Sequence, residues 1–67
     1  MMIRYSSHAR QRMLDRGISA SEVEQALRLG SRQFQYPDKV VASHGYVSVV
    51  YRMRGGCLFV ITVKMRW

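Results

Sequence analysis

Apolar residues change their spacing once along this chain, near residue 31. Before that point they recur every three or four positions, the spacing of one helix face. After it they alternate with polar residues, as in a half-buried strand. Ala9, Met13 and Leu14 form a short apolar stripe, so the pattern predicts a first helix over roughly 7–16. Ser6 or Ser7 can cap its free amides, and Gly17 can adopt the left-handed conformation that ends it. A second helix, over roughly 20–29, carries a stronger signal: Ser19-Ala20-Ser21-Glu22 reads as a capping box, with Ile18 and Val23 as its hydrophobic staple. Val23, Ala26 and Leu27 make its buried stripe, Glu24 and Arg28 are spaced to pair on its surface, and Gly30 ends it. The short Gly17-Ile18 connection makes the two helices a hairpin.

From Ser31 the pattern predicts strands. Gln33–Tyr36 alternates until Pro37-Asp38 breaks it, Lys39–Ser43 is a short strand, and His44-Gly45 is a tight turn. Two long strands, roughly 46–54 and 58–66, are joined through Gly55-Gly56. A two-residue turn there would set Arg52 and Arg54 on the face of Cys57 and Phe59, mixing charge into the core. A three-residue loop that includes Cys57, or a bulge, sorts the faces instead. Val47, Val49, Tyr51, Met53, Phe59, Ile61, Val63 and Met65 then form the core face, which leaves Tyr51 out of any site. Ser48, Val50, Arg52, Arg54, Val60, Thr62 and Lys64 form the other face, turned toward solvent or a ligand. The expectation is an α+β fold: two N-terminal helices on one face of a mostly antiparallel sheet, in the order α-α-β-β-β-β. Without repeats or linkers, residues 1–67 read as one small domain.

Composition bears on partners. The formal net charge is +7, and nine arginines outnumber two lysines. That bias favours bidentate binding of phosphate or carboxylate, so nucleic acid and acidic proteins head the candidates. Nothing approaches the ~20 apolar residues of a membrane span. The basic helix has too few large apolar residues to lie on a membrane. The lone Cys57 excludes an internal disulfide and fits a reducing, cytoplasmic setting. His8, His44 and Cys57 are too scattered for zinc, so neither a metal nor another cofactor is expected.

The basic residues also have a pattern. His8, Arg12 and Arg16 fall at i, i+4 and i+8 of the first helix, on one side, with Arg10 nearby. Arginine forks bind phosphate oxygens, and histidine moves protons near neutral pH, so this stripe suits a phosphodiester. It also suits a solvated helix face, with His8 near the cap, Arg16 at the negative end of the helix dipole and Asp15 offsetting some charge. Tyr36, Tyr46 and Trp67 can stack on bases, although core packing is the commoner role of such residues.

Ser7-His8-Ala9, Arg12-Met13, Arg16-Gly17-Ile18-Ser19, Glu22-Val23 and Ala26-Leu27 occur here in order, followed by Val49-Val50-Tyr51-Arg52 and Val60-Ile61-Thr62-Val63. This combination spans nearly the whole chain. It resembles a family of small prokaryotic proteins known as a domain of unknown function, a compact relative of RelE-type and BrnT-type toxins in the barnase-like ribonuclease group. The resemblance implies two helices on a curved antiparallel sheet and metal-independent RNA cleavage. Carried over by position, it makes His8, Arg12, Arg52 and Thr62 the candidate catalytic residues. Arg10, Arg16, Arg54 and Lys64 are the candidate nucleic-acid contacts. No counterpart is expected for a catalytic residue that RelE-type toxins carry on a longer C-terminal tail.

Metal-free cleavage needs a base for the 2′-hydroxyl, positive charge at the phosphorane and an acid for the leaving oxygen. His8 suits base or acid, while Arg12 and Arg52 suit the phosphate. His44 and Lys64 are the remaining proton-transfer candidates. Two functions therefore stand. One is a toxin-like ribonuclease or RNA-targeting protein held in check by an acidic antitoxin. The other is a non-catalytic basic module that binds nucleic acid or an acidic protein. An exposed sheet edge and a small core also allow a homodimer.

Overall fold

The computed structural model describes residues 2–66, so Trp67 lies outside the described residues. Its two helices are α1, Ser7–Arg16, and α2, Ala20–Leu29. Ser6 is the cap of α1, its Oγ accepting the Ala9 N–H at 2.9 Å. Gly17 ends the helix with φ 66°. The capping box of α2 is complete: the Glu22 N–H donates to Ser19 Oγ at 3.1 Å and the Ser19 N–H to Glu22 Oε1 at 2.9 Å. These ends form as the sequence predicts because each partner lies within three residues.

The sheet has five strands, one more than the pattern predicts. β1 is Met2–Tyr5, β2 Ser31–Gln35, β3 Lys39–His44, β4 Val47–Arg54 and β5 Cys57–Met65, and they lie in the order β1-β5-β4-β3-β2. β1 runs parallel to β5, and the other pairings are antiparallel. The architecture is thus α+β with a mixed sheet, beginning with a strand rather than a helix. β1 escapes a periodicity reading because it is only four residues long and gains its backbone partners from the far end of the chain. Among the described residues β1 and β2 are the two edge strands of the sheet.

Both helices cover one face of the sheet. Ala9, Ile18, Val23, Ala26 and Leu27 pack there against Ala42, Val47, Val49, Tyr51, Leu58, Val60 and Val63. Every one of these side chains is buried, which supplies the main driving force for the fold. Glu24 and Arg28 line the groove beside Leu27, yet they close no ion pair among the described residues.

Three details of register correct the sequence reading. The β3–β4 turn is Gly45-Tyr46, one residue later than expected, because His44 pairs with Val47. The long hairpin turns in two residues, Gly55-Gly56, with Arg54 opposite Cys57. Both glycines have positive φ, 55° and 77°, which suits the I′ turn that follows strand twist. The three-residue loop is absent, and the bulge that was its alternative is present, further along β5. No charge enters the core as a result, because the faces of β5 are exchanged near the turn: Leu58 and Val60, not Phe59 and Ile61, face the helices. A bulge then restores the register. Val50 pairs with Thr62 but Tyr51 pairs with Val60, so Ile61 is an extra residue. It lets Val63 rejoin the core face, with Met65 packed beside it.

Candidate nucleic-acid interface

Helix α1 presents the predicted stripe. His8 stands exposed on its first turn, Arg12 is half-buried, and Arg16 is exposed in the last turn, where its charge complements the helix dipole. Among the described residues Asp15 pairs with no arginine; its carboxylate accepts the Gln11 side-chain amide at 2.9 Å. Arg10 lies on another flank, beside Tyr5, Met13 and Leu14. The Tyr5 hydroxyl is pushed up mainly by burial and next by the charge of Glu24, with Arg10 acting in the opposite direction.

The other concentration of charge lies on the helix-free face. Alternation from Tyr51 and Val60, which face the helices, sends Arg52 and Phe59 outward, where they are direct cross-strand partners. Arg4 of β1 pairs with Phe59 from the other side. Val40 pairs with Tyr51, so Lys39 falls one step further, beside Arg52. One row across the sheet therefore reads Arg4, Phe59, Arg52, Lys39, Gln35. Arg54 and Cys57 stand next to it. Thr62 opposite Val50, and Lys64 opposite Ser48, continue the face toward the other end, where Ser43 and Ser48 share a hydrogen bond of 2.9 Å.

Arg52 is held in place. Its guanidinium carbon lies 5.9 Å from the centroid of the Phe59 ring, a cation–π contact. One nitrogen reaches Asp38 Oδ2 at 3.7 Å, a half-exposed pair whose own contribution to stability is small. Its Nε is buried and, among the described residues, makes no hydrogen bond. Beyond the ring, Arg4, Tyr5, Arg54, Cys57 and Phe59 line a shallow cavity of about 380 Å³.

The structure does not gather His8, Arg12 and Arg52 into one cluster. His8 and Arg12 belong to the helix layer, whereas Arg52, Arg54, Thr62 and Lys64 share the opposite face of the sheet. His44 lies near Glu22, Gln25, Gly45, Tyr46 and Val47, away from that face. Tyr36 is fully open at the β2–β3 turn, and the Tyr46 hydroxyl donates to Glu22 Oε2. Sequence reasoning missed Arg4, Lys39 and Phe59. Phe59 was expected in the core, and Arg4 gains its place only through the β1–β5 pairing. The inward alternation of Ile3 and Tyr5 is the signal that could have placed Arg4 outward. Among the described residues, no three His, Cys, Asp or Glu side chains gather as a metal site, and no helix is long and apolar enough to cross a membrane.

Comparison with known proteins adds two findings. Residues 5–64 match the family described as Domain of unknown function (DUF4258). The fold is similar to a chain in the crystal structure of the toxin–antitoxin complex RelBE2 from Mycobacterium tuberculosis, with a TM-score of 0.72 at 20% identity, covering 97% of this chain and 96% of that one. No curated protein matches the sequence.

Proposed function

The chain belongs to the DUF4258 family, and from that footing we propose that it is a toxin-like, RNA-targeting protein whose helix-free sheet face holds the RNA. The observation that carries this reading is the row of Arg4, Phe59, Arg52 and Lys39 on a face that no helix covers. Guanidiniums fixed at strand spacing offer forks to successive phosphate oxygens, and the aromatic ring among them gives a base a surface to stack on. The fold's likeness to a chain of a toxin–antitoxin complex supports a protein partner, and the net charge of +7 favours an acidic one that would cover the same cations.

Metal-independent cleavage belongs to this reading through Arg52, which would stabilise charge on the phosphorane, and Thr62, which would orient the RNA beside it. Proton transfer, which the family resemblance gives to His8 with Arg12 beside it, would have to come from the helix layer, on the side of the sheet away from Arg52. The position of His8 on the helix layer favours the second reading, a module that binds RNA without cutting it. One set of assays separates the two. Purified protein should bind single-stranded RNA with an affinity that falls steeply with salt, and Arg52→Ala and Arg54→Ala should each lower the log–log salt slope by roughly 0.7. His8→Ala should retain that binding. Chelator-resistant cleavage that disappears in His8→Ala supports the ribonuclease. Wild-type protein that binds RNA but never cuts it is the binding module. Salt-independent or absent RNA binding refutes both.

A further inference from the structure

We propose that the cleft between Arg4, Arg54 and Phe59 is a single-nucleotide subsite, with a base on the Phe59 ring and its adjoining phosphate between the two guanidiniums. This rests on the reading of the helix-free face as an RNA surface and names what one part of it recognises. Strand pairing places the three side chains together: Arg4 lies beside Phe59 across β1–β5, and Arg54 lies opposite Cys57, two residues from Phe59. Arg52 occupies the β4 side of the ring. Arg52 is absent from the lining of the cavity, which Phe59 shares with Arg4, Tyr5, Arg54 and Cys57. Its volume of about 380 Å³ falls in the lower range of small-ligand pockets, enough for one nucleotide unit.

The charge of the cleft is one-sided. Among the described residues its lining contains two arginines and no carboxylate. Asp38, which reaches this face, pairs with Arg52. An anion is therefore drawn in, and the ring adds a preference that charge alone lacks. A base paired and stacked within a duplex has no free face to lay on Phe59, whereas a single strand does. Inorganic polyphosphate engages the arginines but gains nothing from the ring.

The test compares a short single-stranded RNA, the same sequence as a duplex, and inorganic polyphosphate, titrated against the intact protein over a range of salt. The single strand should bind more tightly than the duplex. Phe59→Leu, which keeps an apolar side chain on the strand, should weaken single-strand binding roughly ten-fold. It should leave polyphosphate binding and the salt slope unchanged, and Phe59→Trp should restore affinity. Arg4→Gln combined with Arg54→Gln should weaken all three ligands. Photo-cross-linking of 4-thiouridine RNA to wild-type protein, with the adduct mapped to Phe59, reads the same contact without any variant. Duplex binding equal to single-strand binding, an unaffected Phe59→Leu, or an adduct elsewhere overturns the subsite. If RNA binding persists in those cases, the broader reading of the face stands; if wild-type protein binds no RNA, both fall.

Discussion

Ser6 shows how much one small side chain can hold. Its Oγ accepts the Ala9 N–H and donates to the Ile61 carbonyl at 2.6 Å, while its own N–H donates to the Val60 carbonyl at 3.0 Å. It caps α1 and also ties the helix start to the bulge in β5. Ser6→Ala loses a cap, about 1 kcal/mol, and strips a part-buried carbonyl of its donor, which costs another ~1–3 kcal/mol. A lower urea midpoint at unchanged m-value is the expected result, with Ser6→Thr close to wild type. Sequence alone left Ser6 and Ser7 equal as caps, because what separates them is a carbonyl 55 positions away. Glu22 makes a second prediction. Its pKa is lowered, first by the Ser19 backbone N–H and then by the Tyr46 hydroxyl. A carboxylate that holds its charge to lower pH when folded stabilises fully above its ordinary value. That stabilisation is lost as pH falls through the lowered folded value. Thermal unfolding followed from neutral pH to below about 4.5 should therefore show a loss that Glu22→Gln reduces, since glutamine keeps the capping box without titrating.

Elements divide by the range of the interactions that define them. Both helices could be read from the sequence because caps, staple and stripe are local. Four of the five strands were legible as strands, β1 was not, and neither was the register. Arg52 and Phe59 share a face only because Gly55-Gly56 turns in two residues and Ile61 absorbs the resulting offset. The alternation of β5 shows no break at Ile61, since Val60, Ile61 and Val63 are all apolar. Gly30 marks another long-range constraint. A Cβ there would lie 2.4 Å from the Ala26 carbonyl oxygen and 2.7 Å from that of Ser43, so α2 and β3 approach too closely for a side chain. Gly30→Ala has to push this helix end off the sheet. A cost of about 1–3 kcal/mol in chemical denaturation is expected, larger than the effect of Ser31→Ala, at an exposed position next to it.

At the scale of the molecule, the net charge of +7 was plain from composition, but its sidedness was not. The stripe on α1 looked like the centre of any phosphate site, and it exists. The fold adds a second basic surface whose cations come from four strands, with Arg4 and Lys64 60 residues apart in sequence, and it sets the Phe59 ring among them. One consequence of the parallel β1–β5 pairing concerns time rather than space. Arg4 lies on the first described strand and Phe59 on the last, and β5 lies inside the sheet, between β1 and β4. A ribosome delivers the chain from its N-terminal end, so both helices and β2, β3 and β4 emerge while the slot for β5 is empty. Until that strand arrives, β1 has no partner, the bulge that Ser6 secures does not exist, and the cleft lacks both its ring and one wall. On the proposed reading, the nascent chain would carry its arginines past the messenger and the ribosome before the surface for RNA is assembled, and would complete that surface only once β5 has emerged.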